Sequence, residues 1–452
     1  MLQLKPHQDE GVAFLKTTKC RALVASDMGT GKTAMSICYI KEIRAWPLLV
    51  VCPASLKDNW AKELKDWAGV DSVIVQGETP YAIEGKPHVI IINYDILDKH
   101  IITLAAIPFK AVIFDECDTL SNPKSKRTKA AKALSRRIPG VIGMSGTPIR
   151  NRPADFWPIL NIIRPTEFPS FNNYGWQYCE PKRNYFSGKW EFKGAANLDK
   201  LYASIQHFTL RHTEEILNLP KRHNHVHLLQ CNLDEYRLAE TDFTNWLGKA
   251  KPESLKKATK SQAIMKIGAL LGLAAKAKTP ATIHWARELL KDDKQKLVIF
   301  CNHLKMQDAI AKYTLPEHTV MINGNVATNK RQAIVEKFQN DPNCRLMVAG
   351  IKAAGVGLTL TAATKLIMAE LPWTSAAAMQ AVKRIHRIGQ EEETHILWGV
   401  AAGTIDEKLF YLIQEKQNIS DGAIDGMSPS SALTDLLLNS MQKAGKKLCQ
   451  VK

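Results

Sequence analysis

Two series of short apolar runs, separated by a long stretch of different character, constrain this chain more than any other feature. In the first series, Ala22–Ala25, Pro47–Pro53, His88–Tyr94, Ala111–Glu116 and Gly140–Gly146 each carry a nearly unbroken apolar core. Short runs without polar alternation are buried on both faces, as the strands of a parallel sheet are. Between two of them, Ser55–Ala68 sets Leu56, Trp60, Leu64 and Trp67 on one helical face. Strand and helix in alternation predict a parallel sheet covered by helices. The rhythm stops after Arg164-Pro165, where the sequence turns aromatic and basic with long helical patterns such as Ala263–Lys278. It resumes with Lys296–Asn302, Thr319–Gly324, Cys344–Gly350, Thr364–Glu370 and Thr394–Ala401. The expectation is an α/β protein of two parallel-sheet lobes with a helical insertion between them. Lobe 1 spans 1–163, the mainly helical insertion and linker 164–290, lobe 2 291–420 and a tail 421–452.

Length agrees, since 452 residues exceed what one ordinary core holds. With 61 Lys and Arg against 44 Asp and Glu, the net charge of +17 favours a polyanionic partner, most simply nucleic acid. The nine cysteines are scattered without a C-x-x-C pair, so neither a zinc site nor a disulfide framework is indicated. Reduced thiols of a cytosolic or nuclear compartment are expected. The N-terminal residues lack the apolar core of a signal peptide, and no apolar run is long enough to span a membrane.

Three strand ends carry candidate chemistry. Ser26-Asp-Met-Gly-Thr-Gly-Lys-Thr33 follows the strand Ala22–Ala25 and opens a helix, where free N–H groups and the helix dipole favour phosphate. Gly29, Thr30 and Gly31 allow the backbone to approach it closely. Lys32 would neutralise phosphate charge, and Thr33 would hold Mg²⁺. A plain glycine-rich turn fits this loop as well, and Ser26 stands where the usual phosphate-loop string has its first glycine. Asp115 and Glu116 leave a second strand together, a placement that is costly without a cation. Asp115 would hold the Mg²⁺ and Glu116 would polarise an attacking water. Ser145 and Thr147, after a third strand, are suited to bond the acidic pair and relay nucleotide state. In the second series, Ala353–Thr361 is a loop containing Gly357, placed as a nucleotide contact. Arg384 and Arg387, three apart on a predicted helix, could serve as arginine fingers or lie on a solvated face. Lys124, Lys126, Arg127, Lys129 and Lys132 follow the acidic pair, and Lys249, Lys251, Lys256, Lys257 and Lys260 lie in the insertion. Both clusters suit phosphate contact.

Taken in order, Leu4-Lys-Pro-His-Gln8, Asp27–Thr33, Val50–Leu56, the box Asp115-Glu-Cys-Asp118, Ser145–Pro148, Ala353–Thr361 and Arg384–Gln390 resemble the superfamily II helicases of the Swi/Snf type. Ser145–Ser170, Tyr174–Cys179, Met368–Trp373 and Gly403–Asp406 are similar in particular to the annealing-helicase, or fork-remodelling, branch. The resemblance covers about Leu4 to Asn418. It implies two RecA-like lobes, ATP and Mg²⁺ in the cleft, and double-stranded or branched DNA as the track. Gln8 would then read the adenine, and Arg384 and Arg387 would be the fingers. The box departs from the family, with Cys117 and Asp118 where Ala and His are usual. Asp118 is still expected to bond the Ser145–Thr147 segment. No accessory substrate-recognition region is evident, and the small size suggests a bacterial or phage enzyme in the cytoplasm, or a nuclear one if eukaryotic.

Two other readings remain open. An RNA helicase of the DExD type is one, because the box also occurs there. Against it stand the ending Gly389-Gln390 and the long insertion. A non-catalytic nucleic-acid-binding scaffold is the other. Protein partners, and whether the output is unwinding, annealing or displacement, are not legible.

Overall fold

The first series of apolar runs forms one sheet. Its strands are β1 (Arg21–Val24), β2 (Leu48–Cys52), β3 (Ser72–Ile74), β4 (Val89–Asn93), β5 (Ala111–Asp115), β6 (Gly140–Met144) and, after the hairpin β7 (Lys182–Arg183) with β8 (Trp190–Glu191), the short β9 (Thr209–Leu210). Their order across the sheet is β3-β4-β2-β5-β6-β1-β9, parallel throughout. The computed structural model describes residues 2–149, 152–183, 188–249, 257–351, 358–411, 413 and 414. Two compact units divide between Asn218 and Leu219.

Alternate residues of each strand enter opposite cores. On one face Leu23, Leu49, Ile90, Val112 and Val141 pack with Leu134, Ile159, Leu160 and Ile163. On the other, Ala22, Val24, Leu48, Val50, Val89 and Ile113 pack with Leu15, Met35, Ile40, Trp60 and Leu64. This double burial is why the strands read as continuous apolar runs rather than alternating ones.

The second unit repeats the plan. Its strands are β10 (Arg222–Leu229), β11 (Leu297–Phe300), β12 (Thr319–Ile322), β13 (Leu346–Ala349), β14 (Lys365–Met368) and β15 (Thr394–Ala401), ordered β10-β15-β14-β11-β13-β12 and again all parallel. One face is covered by Met306 and Ile310 of the helix Leu304–Tyr313 and by Ala275, Ala286 and Leu290. Each unit is an α/β lobe built on one parallel sheet.

The stretch 164–290 is not a self-contained helical insertion. Its first part supplies β9 and places Leu201, Ile205 and Phe208 in the first unit's core. Its second part supplies β10 and the helix Lys257–Leu289 to the second unit. Each half therefore belongs to the sheet it joins. The unit boundary accordingly falls at Asn218, not at 163 or 290. Gly357, Lys251, Lys256 and the tail 421–452 lie outside the described residues, as do the side chains of Lys249, Lys257 and Lys260.

Candidate functional site

Three adjacent strands of the first sheet, β5, β6 and β1, deliver the candidate residues at their carboxyl ends, where ligands of open parallel sheets bind. After β1 the chain turns through Gly29 and Gly31, at φ of 85° and 83°, into the helix Lys32–Glu42. Both glycines are in the left-handed region that L side chains avoid. No side chain caps the helix start at Gly31, and the first turn of the helix points its N–H groups toward the loop. Lys32 Nζ donates to the carbonyls of Ser26 at 3.0 Å and Asp27 at 3.1 Å, folding back over the loop. Thr33 is half-buried in the first turn.

Gln8 lies against this loop. Its Nε2 donates to Thr30 O at 3.3 Å, and His7 Nε2 is 3.0 Å from the same oxygen. A Cβ on Gly31 would meet Gln8 Nε2 at 2.0 Å, so only glycine lets the amide come this close. Ser26, in place of the first glycine, does not take positive φ. Its buried hydroxyl instead accepts from His212 N at 3.0 Å and donates to Leu210 O at 3.4 Å. The segment after β9 thus clamps the loop. Arg211 Nη1 reaches Asp27 Oδ1 at 3.0 Å and Ala25 O at 2.7 Å, while Glu214 N donates to Asp27 Oδ2 at 2.9 Å. Arg211 escaped sequence reasoning because its partner is 184 residues away; a lone arginine after two strand-forming residues carries no local signal.

Asp115 ends β5 and is buried. Trp60 Nε1 donates to Oδ2 at 2.8 Å, and Glu116 N donates to Oδ1 at 3.0 Å. Burial pushes the Asp115 carboxyl up, with Asp118 adding to it, against the Trp60 hydrogen bond and the charge of Lys32. A carboxylate held this way favours a cation beside it. Trp60 was legible only as a core residue; a buried indole N–H, however, requires a partner. Glu116 takes φ +50°, a left-handed conformation that costs a non-glycine residue about 1–2 kcal/mol. Strain of this kind collects at working sites. Asp118, also buried, accepts from Ser145 Oγ at 3.2 Å, and Ser145 Oγ accepts from Thr147 N at 3.1 Å. A Cβ on Gly146 would lie 3.8 Å from Lys32 Nζ, so this turn borders the lysine. Loop, acidic box and turn are therefore one cluster.

In the second unit the expected helical arginine pair is corrected. The helix Ser375–Val382 ends before both residues, and Lys383–Gly389 is a series of turns. Bonds of i to i−3, from Arg384 N to Ala381 O and Ile385 N to Val382 O, tighten the chain at the helix end. Gln390 then fixes the turns, donating to Thr361 O, Ala363 O and Ile385 O at 3.0–3.1 Å. His386 Nε2 sits 2.9 Å from Pro220 O. Tertiary anchors thus override the helical spacing. Arg384 is buried, and Arg387 Nη1 reaches Leu358 O at 3.4 Å. Burial lowers the pKa of the Arg387 guanidinium. Asp406 and Lys278 form a fully buried ion pair, and Lys278 Nζ also donates to Gly399 O at 3.1 Å.

Among the basic residues after the box, Ser125 caps the helix Lys126–Ser135 by accepting from Thr128 N. Lys124, Lys126 and Lys129 are exposed. Arg127 is 3.5 Å from Asp95, and the half-buried Lys132 lies over the Trp157 ring at 5.3 Å.

Residues 7–279 match the SNF2-related domain, and residues 281–389 match the helicase conserved C-terminal domain. The chain is 33% identical over 91% of its length to SWI/SNF-related matrix-associated actin-dependent regulator of chromatin subfamily A-like protein 1 of Xenopus laevis, covering 43% of that protein. It is 28% identical over 94% of its length to DNA annealing helicase and endonuclease ZRANB3 of Homo sapiens, covering 40%. The chain thus spans less than half of either relative. A solved Sulfolobus solfataricus SWI2/SNF2 ATPase core in complex with dsDNA is similar over 93% of this chain and 94% of that one, at 23% identity and TM-score 0.45. These animal relatives lend no support to the expected bacterial or phage source, and among the described residues no helix is long and apolar enough to cross a membrane. With more than half its length matched by one domain family, the chain belongs to the SNF2-related family.

Proposed function

We propose that this chain hydrolyses ATP to move along double-stranded DNA, remodelling or annealing it. The observation that carries the reading is the first unit's cluster. Glycine loop, Lys32, Asp115 and strained Glu116 converge at neighbouring strand ends. Phosphates would lie at the N-terminal turn of the helix Lys32–Glu42, with Lys32 leaving the loop carbonyls for them. Gln8, already against the loop, would bond the adenine, and Glu116 would take the proton of the attacking water. The Asp118–Ser145–Thr147 chain would pass the change onward. Arg384 and Arg387 would be supplied to the transferring phosphate during turnover.

Magnesium fits the donors present. A hydroxyl, Thr33, and a buried carboxylate, Asp115, are hard oxygen ligands. Among the described residues no group of three or more His, Cys, Asp or Glu is arranged to hold a metal alone. Nucleotide phosphates and water would complete its coordination. Bound there, it would neutralise phosphate charge.

The +17 charge and the exposed Lys124, Lys126 and Lys129 support a phosphate-reading track, with Arg127 beside them. Family membership favours DNA over the RNA helicase reading. The test is ATP turnover on blunt duplex DNA, forked DNA and RNA, with displacement of a third strand from a triplex as the motor readout. Affinity for duplex should fall with salt by a log–log slope of about −0.9 per phosphate contacted. Equal or greater stimulation by RNA would overturn the assignment, and no ATPase on any nucleic acid would leave the scaffold reading.

A further inference from the structure

An aromatic face on the first unit plays no part in the ATP site. Trp176, on the helix Phe171–Tyr178, and Trp190, on β8, are 51% and 48% exposed, and their rings are 4.7 Å apart at 59°. The pair is not a stray surface contact. Phe192 lies beneath it, 6.2 Å from Trp176 and 5.4 Å from Phe171, and Phe171 is 5.5 Å from Trp157. Gly175 makes this seating possible, because a Cβ there would meet Phe192 at 2.7 Å. Lys132 closes the ladder over Trp157, on the same helix that carries Lys126 and Arg127. The two tryptophans thus stand on a packed aromatic ladder, and the aromatic path leads back to the basic helix that follows the acidic box.

The surroundings favour an anion. Lys182, Arg183, Lys189 and Lys193 are exposed on or beside the hairpin, against Glu180 and Glu191. The ion pairs Lys182–Glu180 at 3.1 Å and Lys193–Glu191 at 2.5 Å lie at the surface, where such pairs are worth about 1 kcal/mol or less. Exposed rings interleaved with Lys and Arg are the chemistry of a surface that stacks bases and tracks a backbone. Bases inside a duplex are covered on both faces by their neighbours, so a platform that stacks successive bases fits a single strand.

We propose that the Trp176–Trp190 face is a stacking platform for unpaired DNA bases, such as a single-stranded arm joined to the duplex track. It deepens the translocase reading and rests on it for the duplex alongside. The experiment uses the full chain with three probes: blunt duplex, the same duplex with one single-stranded arm, and single-stranded oligonucleotide. Trp176→Ala and Trp190→Ala should each weaken binding of the armed and single-stranded probes by roughly five- to a hundredfold. Blunt-duplex affinity and duplex-stimulated ATPase should not change. Trp190→Phe, which keeps a ring and the hairpin packing, should restore most of the loss and excludes misfolding as its cause. An oligonucleotide carrying 5-iododeoxyuridine should photo-crosslink to the peptide containing Trp176 or Trp190. Equal affinity of wild type and both alanine variants for the armed probe overturns the platform, as does equal loss on blunt duplex. Loss of self-association in the alanine variants with DNA binding intact overturns it in favour of an interface between copies. Ring-dependent binding of single strands without duplex-stimulated ATPase sinks the translocase reading and leaves the platform; no binding of any DNA sinks both.

Discussion

Lys32 of the first unit and Arg387 of the second are the cations proposed to meet phosphate, and they are held differently. Lys32 is parked on two carbonyls of its own loop, and that loop is pinned by Arg211, His212 and Gln8. The loop is shaped by these contacts alone. Arg387 has one long bond, 3.4 Å to Leu358 O, and stands on turns fixed by Gln390 rather than on a helix. Preorganised groups lower the cost of binding; a group whose burial opposes its charge gains most when an anion arrives. On the proposed reading, the first unit would bind and the second would respond.

The largest test of that contrast is Arg387→Ala. It should keep ATP and DNA affinity while the DNA-stimulated rate falls roughly 10³- to 10⁵-fold, as for arginine fingers in general. Full stimulated turnover in single-cycle assays breaks the comparison. Next, Glu116→Gln should retain nucleotide binding but lose about 10²- to 10⁴-fold in turnover, while Lys32→Ala loses binding itself. Titration with a fluorescent ATP analogue separates the two, and wild-type hydrolysis by Glu116→Gln rules out the acidic box. Removing the clamp should cost less. Arg211→Ala leaves Asp27 without its guanidinium, and ATP affinity should drop about tenfold, about 1.4 kcal/mol, with turnover at saturation nearly unchanged.

The smallest effect belongs to the second unit. Glu370 accepts from Asn302 N, His303 N and His303 Nδ1 at 2.5–2.8 Å. Its hydrogen bond raises the His303 pKa, against burial. Burial alone would push Glu370 up, but the His303 contacts outweigh it and hold it low. A histidine whose folded pKa is raised gives stability that is complete below its unfolded value of about 6.5 and lost as pH rises through the folded value. Thermal midpoints across neutral pH should therefore decline, and His303→Gln should flatten the decline. Because His303 is 46% exposed, the change is held to about 1 kcal/mol or less. A wild-type midpoint that rises over this range contradicts the pairing.

Much of this molecule was legible in the chain. Strands buried on both faces must be apolar throughout, so β2, β4, β5, β6 and all but one strand of the second sheet announce themselves, and the turn chemistry of Gly29 and Gly31 is local. Residues joined by short-range geometry, such as Lys32 with its loop or Asp115 with Glu116, were readable for the same reason. What crosses the chain was not. β9 is two residues long, and β10, with His223, Asn224 and His225 on an edge strand, lacks an apolar run. The pairs Arg211–Asp27, Trp60–Asp115 and Lys278–Asp406 join residues 55 to 184 positions apart. The Arg384–Arg387 spacing is helical by count, and it was the pull of Gln390 and His386 on distant carbonyls that ended the helix. Sequence alone determined which residues are apolar, flexible or charged at each strand end. Tertiary structure alone decided which of them meet, because a buried polar group must find its partner wherever the fold brings one.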